Sequence, residues 1–190
     1  MELVVLNGSN NIAKSVIRGL VKNGNYSKVR LLDFRPYRQS VYSLQRELAA
    51  QGVELDKRLT TNAQSLDINL EGAQNVVYFT HDYTSMTSCK NNFLIGSAKL
   101  AKKHGISNMV AVCPVEHDLA YSEDAATWVE KRQTAEGEAL AANSNLSIIN
   151  TDLVFGNDSS HIVHYMQQCA MVGKIQKPFL SENAAFKPVS

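Results

Sequence analysis

Glu2-Leu3-Val4-Val5-Leu6-Asn7-Gly8-Ser9-Asn10-Asn11-Ile12-Ala13 is the stretch on which the reading of the whole chain turns. The apolar residues Leu3 to Leu6 have the length and composition of a strand buried on both faces, and the polar run Asn7 to Asn10 stops it at once. From Ile12, the residues Ala13, Val16, Ile17, Leu20 and Val21 recur at helical spacing, with Gly24 where a helix C-cap belongs. A strand that enters a helix through a tight turn aims the helix's unpaired N–H groups at the space above the strand end.

The same alternation continues outward. Val29, Leu31 and Leu32 read as a second strand ending at Asp33, followed by a helix from Ser40 with Val41, Leu44 and Leu48 on one face, stopping at Gly52. A strand at Val53 to Leu59, a loop or short helix at Gln64 to Glu71, and a strand at Val76 to Phe79 come next. A helix from Ser88 to Gly105 leads to a strand Met109 to Cys113, which Pro114 is expected to break. Ser122, with Glu123 and Asp124 behind it, caps a helix through Leu140, and Leu146 to Ile149 is the last strand. Six buried strands alternating with helices predict an α/β fold: a doubly wound parallel sheet with right-handed crossovers.

Composition closes off several function classes. The 190 residues carry 19 Lys and Arg against 18 Asp and Glu, a net charge of +1 with no basic stripe, so no nucleic-acid partner is expected. No apolar run approaches the ~18 residues of a membrane span. Cys89, Cys113 and Cys169 are odd in number and scattered, which reads as reduced thiols in an intracellular protein. The N-x-S sequences at Asn25, Asn145 and Asn157 carry no weight, since no signal peptide precedes them. His161 and His164 follow Asp158 at a spacing that suits a metal, but a third ligand is missing, so no metal is expected. Cys113 and His117 read as an ordinary strand end rather than a thiol-imidazole pair.

A strand, a tight turn, a helix and an acid closing the second strand, about 20 residues on, form the architecture that holds a dinucleotide. On those residues the chain resembles the short-chain dehydrogenase/reductase superfamily, in particular its extended, NmrA-like branch. Leu70-Glu71-Gly72-Ala73-Gln74-Asn75-Val76-Val77 resembles the segment leading into that family's fourth strand, and Leu153-Val154-Phe155-Gly156 its turn after the sixth. The resemblance implies a Rossmann-like sheet of strand order 3-2-1-4-5-6 and NAD or NADP as cofactor. It places the three glycines of the family's turn at Asn7, Asn10 and Ala13. Asn tolerates left-handed φ and Ala is small, so the turn's shape is expected to persist, with two carboxamides where the pyrophosphate would meet bare backbone.

The cofactor-binding residues so implied are Gly8, Ser9, Asn10, Asn11 and Ile12 at the turn, then Asp33, Arg35, Asn62 and Thr80. Asp33 suits ribose hydroxyls and favours NAD, whereas Arg35 suits a 2′-phosphate and favours NADP. Asn62 stands where the family faces adenine with an acid, or is a loop Asn making a local turn. The family's catalytic Ser or Thr falls at Cys113 and its Tyr-x-x-x-Lys pair at Trp128 and Arg132. Indole cannot exchange a proton as a phenol does, and guanidinium does not deprotonate. Lys131 lies about 100° around the helix from the required face. The loop that the family keeps small reads Thr80-His81-Asp82. No catalytic residue is therefore expected.

The domain division is expected at 1–158 for the Rossmann-like unit and 159–190 for a residual helix and docking tail, a truncated form of the family's substrate lobe. Two functions follow from the resemblance. One is a non-catalytic accessory subunit of a larger assembly, by analogy with the nucleotide-binding accessory subunit of mitochondrial respiratory complex I, with other protein subunits as partners. The other is a small NAD(P)-dependent oxidoreductase or redox-sensing regulator. Localisation is expected on the mitochondrial matrix side or in the cytoplasm.

Overall fold

Among the described residues, eleven elements follow from the alternation of buried strands and amphipathic helices: β1 (Glu2–Leu6), α1 (Asn11–Asn23), β2 (Lys28–Asp33), α2 (Gln39–Ala50), β3 (Glu54–Leu59), α3 (Ala63–Leu70), β4 (Asn75–Phe79), α4 (Ser88–Lys103), β5 (Asn108–Pro114), α5 (Glu123–Ala142) and β6 (Leu146–Thr151). The structure is a computed structural model that describes residues 1–9, 11–33, 39–60, 62–79, 88–114 and 123–151. Asn10, Arg35, Thr80 and everything from residue 152 onward, including the expected domain boundary and the His161 and His164 pair, lie outside the described residues.

The six strands form one sheet in the order β3-β2-β1-β4-β5-β6, every neighbouring pair parallel. This is the Rossmann-like order that the resemblance implies, with the switch of direction between β1 and β4. Because strand side chains alternate, β1 feeds two cores. Leu3 and Val5 pack with Ile17, Val21, Leu31, Leu44 and Phe79 on the side of α1 and α2. Val4 and Leu6 pack with Leu32, Leu70, Tyr78, Leu94 and Cys113 on the side of α3, α4 and α5. Burial on both faces is why β1, β4 and β5 read as unbroken apolar runs.

The outer strand β3 is different, and its sequence Glu-Leu-Asp-Lys-Arg-Leu mixes charged with apolar residues. Lys28 of β2 meets Glu54 at 3.2 Å and Asp56 at 3.4 Å, and Arg58 meets Asp56 at 2.8 Å. Arg30 reaches Glu2 at 2.9 Å and the Asn69 carbonyl at 2.7 Å. These contacts link β1, β2, β3 and α3 through charged side chains.

Pro114 does not break its strand: β5 runs through it, in register with Thr151 of β6. Among the described residues its register with β4 reaches Phe79 and Val112.

Candidate functional site

The switch point between β1 and β4 is built by the turn Asn7-Gly8-Ser9. Asn7 has φ 57°, a left-handed conformation that Asn tolerates better than other side-chain-bearing residues. Its N–H donates to the Leu32 carbonyl at 2.8 Å, and its Nδ2 donates to the Phe79 carbonyl at 2.7 Å. One residue thus ties the end of β1 to the ends of both neighbouring strands. Gly8 is required by close approach: a Cβ there would meet Leu31 Cδ1 at 2.2 Å and Val5 Cγ1 at 2.8 Å. The Ser9 N–H donates to Asp33 Oδ2 at 3.1 Å.

Asp33 is 3% exposed and closes β2 above the sheet. Its carboxylate seats the turn, and its carbonyl accepts the Thr60 N–H at 2.7 Å. Thr60 itself is 1% exposed. Its Oγ1 and the Oγ of Ser9 are both buried with no hydrogen-bond partner among the described residues. Two hydroxyls, on residues whose backbone N–H groups both bond to Asp33, thus keep unspent hydrogen-bonding capacity in a setting where burial normally demands a partner. Asn11 and Ile12 open α1, whose first turn also carries Lys14, only 4% exposed. Asn62 is the N-cap of α3: Ser65 N–H donates to its Oδ1 at 2.8 Å, and its own N–H donates to Ser65 Oγ at 3.2 Å. Its carboxamide oxygen serves this capping box.

On the other side of the switch point, the positions matching the family's catalytic residues have other work. Cys113 is buried beside Tyr78. Burial above all, then the neighbouring Cys113, pushes the Tyr78 phenol well above the ordinary tyrosine range, so it stays neutral. Arg132 Nε donates to Glu136 Oε1 at 2.8 Å and its Nη2 to Asn150 Oδ1 at 3.1 Å. Trp128 belongs to α5, and its side chain lies outside the described residues. Among the described residues no group of three His, Cys, Asp or Glu is placed to hold a metal, and no helix is long and apolar enough to cross a membrane.

The structure brings together Gly8, Ser9 and Asp33 with the start of α1. Asn62 is placed on a separate helix cap. The sequence reading missed Thr60, which has no motif to announce it: only its position one residue past β3, where its N–H meets the Asp33 carbonyl, marks it. It also treated Asn7 as a glycine surrogate and missed its side-chain bond to β4, which depends on pairing between segments distant in sequence.

No family model matches the sequence, and no curated protein matches it. Solved structures do match. A dTDP-glucose 4,6-dehydratase from Streptomyces venezuelae with NAD bound superposes with a TM-score of 0.68 at 14% identity, covering 91% of this chain and 63% of that one. Triphenylmethane reductase from a Citrobacter species, complexed with NADP(H), gives 0.61 at 13%, covering 81% and 50%. A short-chain dehydrogenase/reductase from Veillonella parvula in complex with NADP gives 0.59 at 14%, covering 82% and 71%. At such identities the likeness establishes the fold. The chain spans about half to two thirds of the dehydratase and the triphenylmethane reductase.

Proposed function

We propose that this chain is a nucleotide-binding Rossmann protein, related to the extended short-chain dehydrogenase/reductases, that does not perform their hydride transfer and serves as an accessory subunit of a larger assembly. The nicotinamide cofactors fit one half of the site. Gly8, Ser9, Asn11 and Ile12 supply a turn and a helix N-terminus for phosphate, and Asp33 supplies a carboxylate for ribose. NAD or NADP bound there would bring the hydride chemistry.

The observation that carries the non-catalytic reading is Arg132. At the position where the family's lysine lowers a tyrosine pKa, this side chain is hydrogen-bonded to Glu136 and Asn150, which fixes α5 to β6. A guanidinium so held does not pass a proton, and Cys113 offers a buried thiol in place of a hydroxyl. Fold without its chemistry suits a protein retained for binding other chains. Such a subunit resembles, by analogy, the nucleotide-binding accessory subunit of mitochondrial respiratory complex I. Two measurements test the reading together. Native mass of the protein extracted from its source is expected to exceed a 21.0 kDa monomer or its dimer by a wide margin. A panel of carbonyl and alcohol substrates with NAD(H) and NADP(H) is expected to show no turnover.

The competing reading, a small NAD(P)-dependent oxidoreductase, is favoured by the company the fold keeps: solved structures of NAD- and NADP-bound enzymes. A monomer or dimer that reduces any member of the panel would select it.

A further inference from the structure

We infer that the outer edge of β3 is a docking surface for a second copy of this chain, joined strand to strand about a two-fold axis at Lys57. The inference stands apart from the nucleotide reading and needs no ligand. Among the described residues β3 ends the sheet, with β2 as its only neighbouring strand. The N–H groups of Glu54 and Thr60 donate inward, to the Ser27 and Asp33 carbonyls at 3.1 and 2.7 Å. Because backbone groups alternate along a strand, Leu55, Lys57 and Leu59 turn their N–H and C=O groups outward, where no described strand meets them.

Charges on an edge strand ordinarily bar pairing; here they select one register. Two such edges running antiparallel can bond only with Leu55, Lys57 and Leu59 opposite residues of the same set. With Lys57 on the axis, Leu55 meets Leu59 of the second copy, and Asp56 meets its Arg58, on both sides of the axis. Moving the axis by one residue sets Asp56 against Asp56, or Arg58 against Arg58. Asp56 lies 3.4 Å from Lys28 and 2.8 Å from Arg58 in its own chain, and Arg58 keeps 39% of its side chain exposed, open to a further carboxylate. Lys57 meets its own copy at the axis. Its Nζ, however, donates to Gln45 Oε1 at 2.8 Å and lies 4.1 Å from the centre of the Tyr42 ring, so each ammonium is drawn over its own α2. Leu59 shares that face of the strand with Lys57 and is 48% exposed, as Tyr42 is 52% exposed beside it. Leu55 of the second copy covers Leu59 in this register.

The test is sedimentation equilibrium of the full chain, with amide hydrogen exchange at the lowest and highest concentrations used. An edge this short makes a weak dimer, so the mass is expected to rise from 21.0 kDa to twice that with a dissociation constant of about 10–100 µM. At about 200 µM the amides of Leu55, Lys57 and Leu59 are expected to exchange about threefold more slowly, while those of Glu54 and Thr60, already bonded to β2, hold. Asp56→Arg and Arg58→Asp, each alone, set like charges across the axis and are expected to weaken association about tenfold. Mixed in equal amounts, the two variants are expected to form a heterodimer about as tight as the unmodified dimer, a rescue that a merely structural role for these side chains would not give. Leu59→Ser, at a half-exposed position, serves if a charge variant fails to fold and is expected to weaken the dimer about fivefold. A mass of 21.0 kDa up to about 200 µM overturns the inference. So does a dimer whose outward β3 amides exchange at the monomer's rate, or one that Leu59→Ser leaves unchanged. Folded charge variants that stay monomeric when mixed overturn the register about Lys57.

Discussion

Arg132 Nη2 and Asn150 Oδ1 stand 3.1 Å apart, a hydrogen bond from the middle of α5 to the penultimate residue of β6. The same guanidinium holds Glu136, and both side chains of that pair are mostly buried. Arg132→Ala is therefore expected to destabilise the fold by about 2–3 kcal/mol in urea unfolding, because Glu136 loses its counter-charge where water is scarce. Asn150→Ala is expected to cost about 1 kcal/mol. Equal and negligible losses in the two variants would show the contact to be incidental.

Restoring the family's acid-base pair should not restore chemistry. Trp128→Tyr with Arg132→Lys is expected to remain inactive on the substrate panel with either cofactor. A general acid alone is worth ~10²–10⁴-fold, and a positioned substrate is still required. Hydride transfer above background by the unmodified chain, abolished by changing Cys113, would refute this.

Glycines at three positions should respond in opposite senses. Gly8→Ala forces a methyl into Leu31 and Val5, both fully buried, and is expected to cost about 1–3 kcal/mol or to prevent folding. Gly96 in α4 and Gly137 in α5 have open space where a Cβ would stand, with no neighbouring atom within 4 Å. Alanine at either is expected to stabilise by about 0.5–1 kcal/mol through helix propensity. Denaturant midpoints measured side by side decide all three.

Acid stability should depend on Asp67. Lys103 and His104 each contact its carboxylate at 2.6 Å, and those hydrogen bonds, Lys103 first, hold it below the usual aspartate range. A depressed carboxylate pKa adds stability that is complete above the unfolded-state value near 4 and is lost as pH falls through the lower folded value. Asp67→Asn is expected to lower the thermal midpoint at neutral pH and to flatten its decline in the acid range. Parallel curves for the two proteins would rule that out.

Most of the fold was legible because it rests on local patterns. Continuous apolar runs mark β1, β4 and β5, helical spacing marks α1 and α2, their alternation marks the fold class, and the strand order is what the family resemblance implies. Pro114 misled because a proline at the last position of a strand removes only its own N–H, and the register with Thr151 runs through it. The turn was legible at Gly8, where only a glycine fits against Leu31 and Val5, and at Asp33, the acid that closes the second strand. Asn62 stood open between a base contact and a local turn; its capping box with Ser65 engages the carboxamide locally. The Asn7 bridge and the Thr60 hydroxyl were not legible, since each takes its meaning from a segment far away in the chain.

The placement of β1 at the centre of the sheet also sets the order in which the chain can fold. Leu3 pairs with Val29 on one side and with Asn75 on the other. Residues up to the end of β3 can assemble β1, β2 and β3 with α1 and α2, but Val4, Leu6 and Leu32 then face water until the second half arrives. Closing that long loop is entropically slow, and parallel pairing across it offers no local shortcut. A half-built sheet with one bare apolar face is an aggregation hazard, and the charges of β3 guard its outer edge during that interval. On ribosomes, the same geometry leaves the first half of the protein waiting, sticky on one side, for a strand that has yet to be synthesised.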